Sequence, residues 1–481
     1  MLIGRRPSIN GNTPFFTINK ICLNMADAKK DSFINLYKKI LAPSKAVYQK
    51  DFTFSGYSYG DVFELAAGLK KTLARRGGEK ILCLCTANKA VAAACVLASL
   101  AGACKLILPY SFSAHALTEM YDAVGFDFAI ADHPEEIPAG VEIITPLPAP
   151  MENIKSELIR HPDEPFLRLF TGGSTGKPKV WSKSPRNLFA EAFYLQEKFA
   201  LSDKDLFLAT VPPYHIYGLL FSILVPLVAH ARVLPDIYTF PQEIISTTNK
   251  HKASVLVSVP IHYRALKVDN LSTPSLKVAF SSSGVLNRPD GLHFLKKTGL
   301  GITEIYGSTE TGGIAARCIS DYTDSWKAFD IVNWKLTGSR LSIKSDFASP
   351  EMERDAEGFC LTGDEVREDN DNRFVLLGRV DGIVKVAGKR VDLLDVQNKI
   401  KTLPTVSDAV VVAIPTEKGR ESIIAAVVAC DLTETHFKKL LKDMLEPYAV
   451  PRRVKIVSSI AITATGKIDR RRIEQLLADK K

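Results

Sequence analysis

Thr171-Gly172-Gly173-Ser174-Thr175-Gly176-Lys177-Pro178-Lys179 follows an apolar run from Phe166 to Phe170 and leads into Lys179-Val180-Trp181, another extended stretch. Three glycines free the backbone to approach a ligand closely, and successive N–H groups in such a loop can cradle phosphate oxygens. Ser174, Thr175 and Lys179 add two hydroxyls and a positive charge. Three glycine motifs can be tested against the stretch. A P-loop needs G-x-x-x-x-G-K-[ST], but Thr171 stands where its first glycine belongs and Pro178 where its hydroxyl belongs. The dinucleotide fingerprint G-x-G-x-x-G fails at the same Thr171. Gly172 to Gly176 does match G-x-S-x-G, yet that nucleophile elbow must pass directly from strand into helix. Pro178 and the extended residues after it predict strand–loop–strand instead. A hydrolase, or a non-catalytic protein that only binds nucleotide through this loop, stays as the alternative function.

Upstream of the loop, from about Asp31 to His133, helical and strand patterns alternate, which predicts a parallel sheet with helices on its faces. Tyr59 to Arg76 is amphipathic, Lys80 to Cys85 and Phe126 to Ala131 are short apolar strands, and Ala90 to Cys104 is a buried helix between Lys89 and Lys105. Fifteen mostly small residues are too few to span a membrane. Downstream, a helix is expected from about Arg186 to Ala200, with Leu188, Ala192, Leu195 and Phe199 on one face. Strands are expected at Ser254–Val259, Leu276–Ser281 and Ile302–Tyr306. Beyond about residue 380 the pattern restarts. Strands are predicted at Asp408–Pro415, Ser422–Cys430 and Val454–Val457, with a helix around Phe437 to Leu445 that Pro447 and Pro451 end, and a last short helix around Ile473.

A chain of 481 residues allows two to four structural units. Hydrophobic residues are 46% and charged residues 24%, which excludes a disordered or fibrous chain. The net charge is +9, from 62 basic and 53 acidic residues. Of this, +6 falls between Pro451 and Lys481, where nine Lys/Arg meet three Asp/Glu. That segment has no aromatic residue to stack on bases, so a nucleic-acid groove is disfavoured and a phosphate-bearing or acidic partner is favoured. The eight cysteines form no C-x-x-C pair and lie mostly in apolar runs, as expected of reduced core residues in a cytoplasmic protein. The first 24 residues have no apolar signal core and are expected to form a loose tail, with Met25 as a possible alternative start.

After the glycine loop come Tyr306-Gly307-Ser308-Thr309-Glu310-Thr311-Gly312, then Thr362-Gly363-Asp364. Gly378-Arg379-Val380-Asp381 follows, with Lys385 and Gly388-Lys389-Arg390, and finally Thr465-Gly466-Lys467 with Arg470. In this order and spacing the segments resemble the signatures of the adenylate-forming (AMP-binding) superfamily, which holds acyl-CoA synthetases, peptide-synthetase adenylation domains and luciferases. The resemblance runs from about Phe166 to Ile473. It departs at Val180, Gln397 and Ala461, where the family more often has Gly, Glu and Pro, and the first 130 residues match only in style. The fold it implies is α/β: a large N-terminal domain of parallel-rich sheets flanked by helices (residues 25–379) and a small mobile C-terminal α+β domain (residues 380–481).

The resemblance also implies a chemistry. A carboxylate is joined to the α-phosphate of ATP with release of pyrophosphate, and a thiol then displaces AMP. Charge gathers on the α-phosphate, so cations and N–H donors should surround it. By resemblance Thr171, Gly172, Gly173, Ser174, Thr175, Gly176 and Lys179 hold the β- and γ-phosphates. Thr309 contacts the α-phosphate, and Glu310 binds Mg2+, a hard cation suited to carboxylate oxygen. Asp364 accepts from the ribose hydroxyls with help from Arg379, Tyr306 and Gly307 meet adenine, and Ser283 and Gly284 line the adenine and acyl pocket. Lys467 is the implied catalytic lysine, bridging the acid and the α-phosphate. His215 stands near the substrate carboxylate and helps gate the thiol, Asp381 is the hinge, and Gly388 reaches the thiol tunnel. The acceptor is CoA or the phosphopantetheine of an acyl carrier protein. Trp181 to Leu188 and Gly307 to Ala315 look most like a bacterial branch associated with aryl polyene pathways, which implies an aryl or medium acyl acid.

Overall fold

The computed structural model describes residues 40–77, 79–150, 160–171, 179–268, 271–284, 286–321, 323–379, 382–386, 388–415, 422–461 and 470–478. Ser58 starts α1 (Tyr59–Ala74) with a reciprocal cap, its hydroxyl accepting from Asp61 N–H while the Asp61 carboxylate accepts from Ser58 N–H. β1 (Ile81–Cys85) leads to α2 (Lys89–Leu100), which is buried on nearly every side. Its run of small residues, Ala92 to Ala94, lets it pack closely against α1. β2 (Lys105–Leu108), α3 (Ala114–Val124), β3 (Phe128–Ala131), β4 (Glu142–Ile143), β5 (Leu167–Thr171) and β6 (Lys179–Lys183) complete the first region. The six strands form a sheet in the order β4-β3-β1-β2-β5-β6. All neighbours are parallel except β5 and β6, an antiparallel pair.

The second sheet is assembled in two halves. α4 (Pro185–Lys198), β7 (Leu206–Ala209), α5 (Ile216–Leu219), α6 (Val225–Ala229) and β8 (Arg232–Val233) are followed by α7 (Pro241–His251) and β9 (Val255–Ser258). Then come α8 (Pro260–Ala265), β10 (Val278–Ser281), α9 (Arg288–Thr298) and β11 (Ile302–Ser308). Strands β7 to β11 are parallel to one another. At Gly312 the chain folds back. β12 (Gly312–Cys318), β13 (Trp326–Ala328), β14 (Asn333–Thr337), β15 (Arg340–Lys344), β16 (Cys360–Asp369) and β17 (Arg373–Arg379) extend the sheet with antiparallel neighbours. The order is β14-β15-β16-β17-β13-β12-β11-β10-β9-β7-β8. The α/β architecture therefore holds, but in this sheet parallel pairing runs only from β7 to β11, ending at Ser308. The antiparallel half was not anticipated.

Past Arg379 the elements belong to a smaller unit. β18 (Ile383–Val386) and β19 (Lys389–Asp392) form a hairpin. α10 (Leu393–Lys401), β20 (Val406–Pro415), β21 (Ser422–Cys430), α11 (Glu434–Lys442), β22 (Arg453–Val457) and α12 (Arg470–Ala478) follow. β21 is buried on both faces. Ile424, Ala426 and Val428 meet Phe437 and Leu441, while Ala425, Val427 and Ala429 meet Ile473 and Leu477. A strand covered on both sides reads as a continuous apolar run rather than an alternating one. Among the described residues, Cys83, Cys85, Cys95, Cys104 and Cys360 are buried and unpaired, and no helix is long and apolar enough to cross a membrane.

Candidate active site

Ligands of open α/β sheets bind beyond the carboxyl ends of the strands, and here those ends carry most of the expected residues. β7 leads to His215, which sits at the N-cap of α5. β10 leads to Ser282, Ser283 and Gly284. Ser283 has φ 68°, a left-handed backbone that a serine adopts only when its surroundings hold it there. Ser282 Oγ donates to Ile305 O at 2.8 Å, tying this turn to β11. Thr309 and Glu310 occupy the turn between β11 and β12, which Ser308 and Thr311 lock through their hydroxyls at 2.8 Å. Gly307 has no room for a side chain, since a Cβ would lie 2.3 Å from Gly312 O.

On the antiparallel side, Asp364 of β16 pairs with Arg379 of β17 across the ladder. The Tyr306 hydroxyl donates to Asp364 Oδ2 at 2.7 Å. The Tyr306 ring meets Phe374 edge-on and Trp326 at a tilt, with centroids 5.9 and 5.4 Å away. The second, third and hinge segments are therefore brought together around one place. Thr171 and Lys179 are paired residues of the β5–β6 hairpin. The glycine stretch thus connects two antiparallel strands, and the strand-to-helix passage of a nucleophile elbow is not what flanks it. Gly172, Gly173, Ser174, Thr175 and Gly176 of the phosphate loop, the hinge Asp381 and Lys467 lie outside the described residues.

The loop from Gly307 to Gly313 rests on two buried charges that the sequence reading passed over. Lys183, the last residue of β6, donates to Phe347 O at 2.8 Å and to Glu310 O at 3.4 Å. Glu191 of α4 accepts from Gly313 N–H at 2.8 Å. Gly312, at φ 67°, and Gly313 leave space for that carboxylate, because a Cβ on either would lie 2.8 Å from a Glu191 oxygen. Burial drives Lys183 below its ordinary range and Glu191 above it, and each opposes the other's shift. The nearest signal in sequence is that Lys183 lies just before Ser184-Pro185, a helix start, in a stretch otherwise read as a strand.

The small domain enters the same place through the tip of its hairpin. Gly388, at φ 80°, lies against Ser283, and a Cβ there would be 3.9 Å from the Ser283 Cβ. Lys389 Nζ donates to His215 Nε2. Burial, reinforced by the Lys389 charge, lowers His215 to about 3, so its imidazole is neutral. Arg390 Nη1 donates to both Glu310 oxygens, at 2.9 and 2.7 Å. Burial alone would raise the Glu310 carboxyl, but the Arg390 guanidinium outweighs it and holds Glu310 below the ordinary range. Farther out, Ser113 Oγ donates to Glu446 at 3.4 Å and Lys399 lies 3.9 Å from Glu119.

Glu310 can hold a cation. It is a largely buried carboxylate kept ionised, and in this arrangement a guanidinium fills the position. Among the described residues no cluster of three or more His, Cys, Asp or Glu forms a metal cage. A cation there would share its ligands with substrate phosphates and water, as Mg2+ commonly does.

Comparison with known proteins agrees with this geometry. Residues 43–359 match the AMP-binding enzyme family and residues 395–467 match the AMP-binding enzyme C-terminal domain. Oxalate–CoA ligase of Arabidopsis thaliana is 25% identical over 68% of this chain and 70% of its own length. Sulfoacetate–CoA ligase of Cupriavidus necator is 24% identical over 76% of this chain and 77% of its own. In fold, the chain is similar to o-succinylbenzoate CoA synthetase from Bacillus subtilis, with a TM-score of 0.78 at 18% identity, covering 92% of this chain and 98% of that one. The two matched family models, spanning both domains, place the chain in the AMP-binding enzyme family, the adenylate-forming enzymes of acyl-CoA synthetase type.

Proposed function

We propose that the chain is an ATP-dependent carboxylic acid ligase that forms an acyl-adenylate with release of pyrophosphate and then passes the acyl group to the thiol of coenzyme A or of a carrier-protein phosphopantetheine. The observation that carries this reading is the interlock of the hairpin tip with the large domain. Gly388 meets Ser283, Lys389 meets His215 and Arg390 meets Glu310. Three consecutive residues of the small domain thus touch three residues expected at the acid, the nucleotide and the cation. A fused, non-catalytic nucleotide binder has no use for that arrangement, and the β5–β6 hairpin argues against a G-x-S-x-G hydrolase.

In this docked arrangement the small domain serves the second step, with Gly388 beside the path of the thiol. Glu310 has two partners in turn. Arg390 holds it here, and in the first step the same carboxylate would hold Mg2+, whose charge offsets that of the phosphates. Thr309, Lys179 and the phosphate loop would fix the triphosphate, and Asp364 with Arg379 the ribose. Lys467 would reach the α-phosphate only after the small domain turns about Asp381.

For the acid we favour an aryl or medium acyl group. The Phe112 and Tyr214 rings meet at a tilt with centroids 4.3 Å apart, and the Tyr214 ring lies 4.8 Å from that of His215. Aromatic faces beside His215 suit a planar apolar group. The relatives are named for acids as different as oxalate, sulfoacetate and o-succinylbenzoate, all joined to CoA, so their names favour the acceptor more than the acid. A carrier-protein acceptor draws support from the basic C-terminal segment.

The test is acid-dependent exchange of labelled pyrophosphate into ATP over a panel of benzoate, cinnamate, hexanoate and malonate, followed by thioester formation with CoA or a holo carrier protein. Lys467→Ala should lower exchange by about 10²-fold or more. Full exchange activity in that variant would remove Lys467 from the chemistry, and the absence of exchange with every acid would overturn the ligase reading.

A further inference from the structure

Lys389 is carried on the hairpin tip into a largely desolvated part of the cleft, and the nucleotide chemistry gives it no task. Its neighbours on the chain are occupied: Gly388 lies on Ser283 and Arg390 is spent on Glu310. The Lys389 ammonium donates to Nε2 of His215, so the neutral imidazole turns its unprotonated nitrogen toward it. Glu446, of the same domain, acts on its charge and accepts from Ser113 across the interface. Burial works against the ammonium, so placing it there costs free energy that a neutral side chain would not. The charge enters the cleft only when the small domain is docked, and on the functional reading above that is when the thiol arrives.

We propose that Lys389 is a catalytic residue of the thioester step: its ammonium, aimed by His215, faces the incoming thiol and stabilises the thiolate that attacks the acyl-adenylate. The thiol gives its proton to solvent. The sulfur electron pair forms the C–S bond, the acyl C–O bond to phosphate breaks, and AMP leaves with the electron pair of the broken bond. An adjacent cation lowers a thiol pKa, as it does at reactive cysteines, and so raises the thiolate fraction at neutral pH. This assignment rests on the ligase reading and adds to it a residue for the acceptor.

The experiment is single-turnover transfer at pH 7 from adenylate formed in place with the panel acids. The thiols are N-acetylcysteamine and the more acidic trifluoroethanethiol, and pyrophosphate exchange of the same preparation is the reference. Lys389→Met should lower the ratio of transfer to exchange by about 10²-fold with N-acetylcysteamine, and by only a few-fold with the acidic thiol, which needs less help to ionise. Lys389→Arg keeps the charge and should restore most of the loss. Equal losses with both thiols would mean that Lys389 only latches the domains, and would overturn the proposal. So would an unchanged ratio, or Lys389→Arg being as slow as Lys389→Met. If the wild type exchanges pyrophosphate but acylates no thiol, the ligase reading fails and this assignment falls with it. If the wild type does both and Lys389→Met equals it, only the assignment of Lys389 fails.

Discussion

Tyr306 was expected to meet adenine through its ring, and its hydroxyl turns out to have a separate partner. The hydrogen bond to Asp364 at 2.7 Å fixes the carboxylate expected to grip the ribose. Bonds to charged groups contribute about 1.5–3 kcal/mol, and here the contribution is orientation of the Asp364 carboxylate. Tyr306→Phe keeps the ring against Phe374 and Trp326 and removes one anchor of the Asp364 carboxylate. Its kcat/KM for ATP should fall about tenfold, with the melting temperature little changed. Steady-state kinetics in ATP check this. An unaltered kcat/KM, alongside a deficient Asp364→Ala, would show that Asp364 needs no such anchor.

Among the elements, those with a strong period were the ones visible in sequence. Leu188, Ala192 and Leu195 are all buried on α4, because a helix with one apolar face declares itself at i, i+4 and i+7. β20 and β21 were visible as long apolar runs. The strands from β12 to β17 were not, since short antiparallel strands with one wetted face, such as Asn333–Thr337, carry too few apolar residues to stand out. The buried charges were hidden for a different reason. Lys89 was read as the polar flank of an apolar helix, yet it donates to Leu234 O and Asp236 O at 2.7 and 2.8 Å. Lys183, within the Trp181–Leu188 stretch, likewise carries no local sign of burial. Which lysine goes inside depends on carbonyls far along the chain, and no local spacing records them. The β6–α4 junction offers a test. Lys183→Met leaves Glu191 buried beneath the Gly307–Gly313 loop without its compensating cation, a loss of about 3–5 kcal/mol. Calorimetry should show a melting temperature lower by roughly 5 °C or more. Lys183→Met with Glu191→Leu should recover most of it, because removing both buried charges leaves neither without its opposite. Single and double variants that melt alike would mean that Glu191 never depended on Lys183.

At the scale of the molecule, the five signature segments could be ordered in sequence, but which of them meet could not, because that depends on how the small domain is docked. The docked orientation puts a titratable group at the seam. Burial lowers Lys389 to about 8 in the docked state, with Glu446 partly opposing and His215 facing it. In solvent, with the domains apart, a lysine titrates near ~10.4. Below pH ~8 both arrangements keep the proton and docking is insensitive to pH. Between ~8 and ~10.4 the open form holds the proton that the docked form has lost, so the docked form gains as pH rises, by up to about tenfold per unit. The Arg390–Glu310 pair contributes nothing in this window, since Glu310 is held ionised well below it. Small-angle scattering, or energy transfer between labels on the two domains, should therefore show the docked fraction of the free protein increasing from pH 8 to 10. Lys389→Met should flatten that dependence. A wild type whose domain arrangement ignores pH across this range would mean that Lys389 is not desolvated at the seam, and that the hairpin tip rests there too loosely to exclude water.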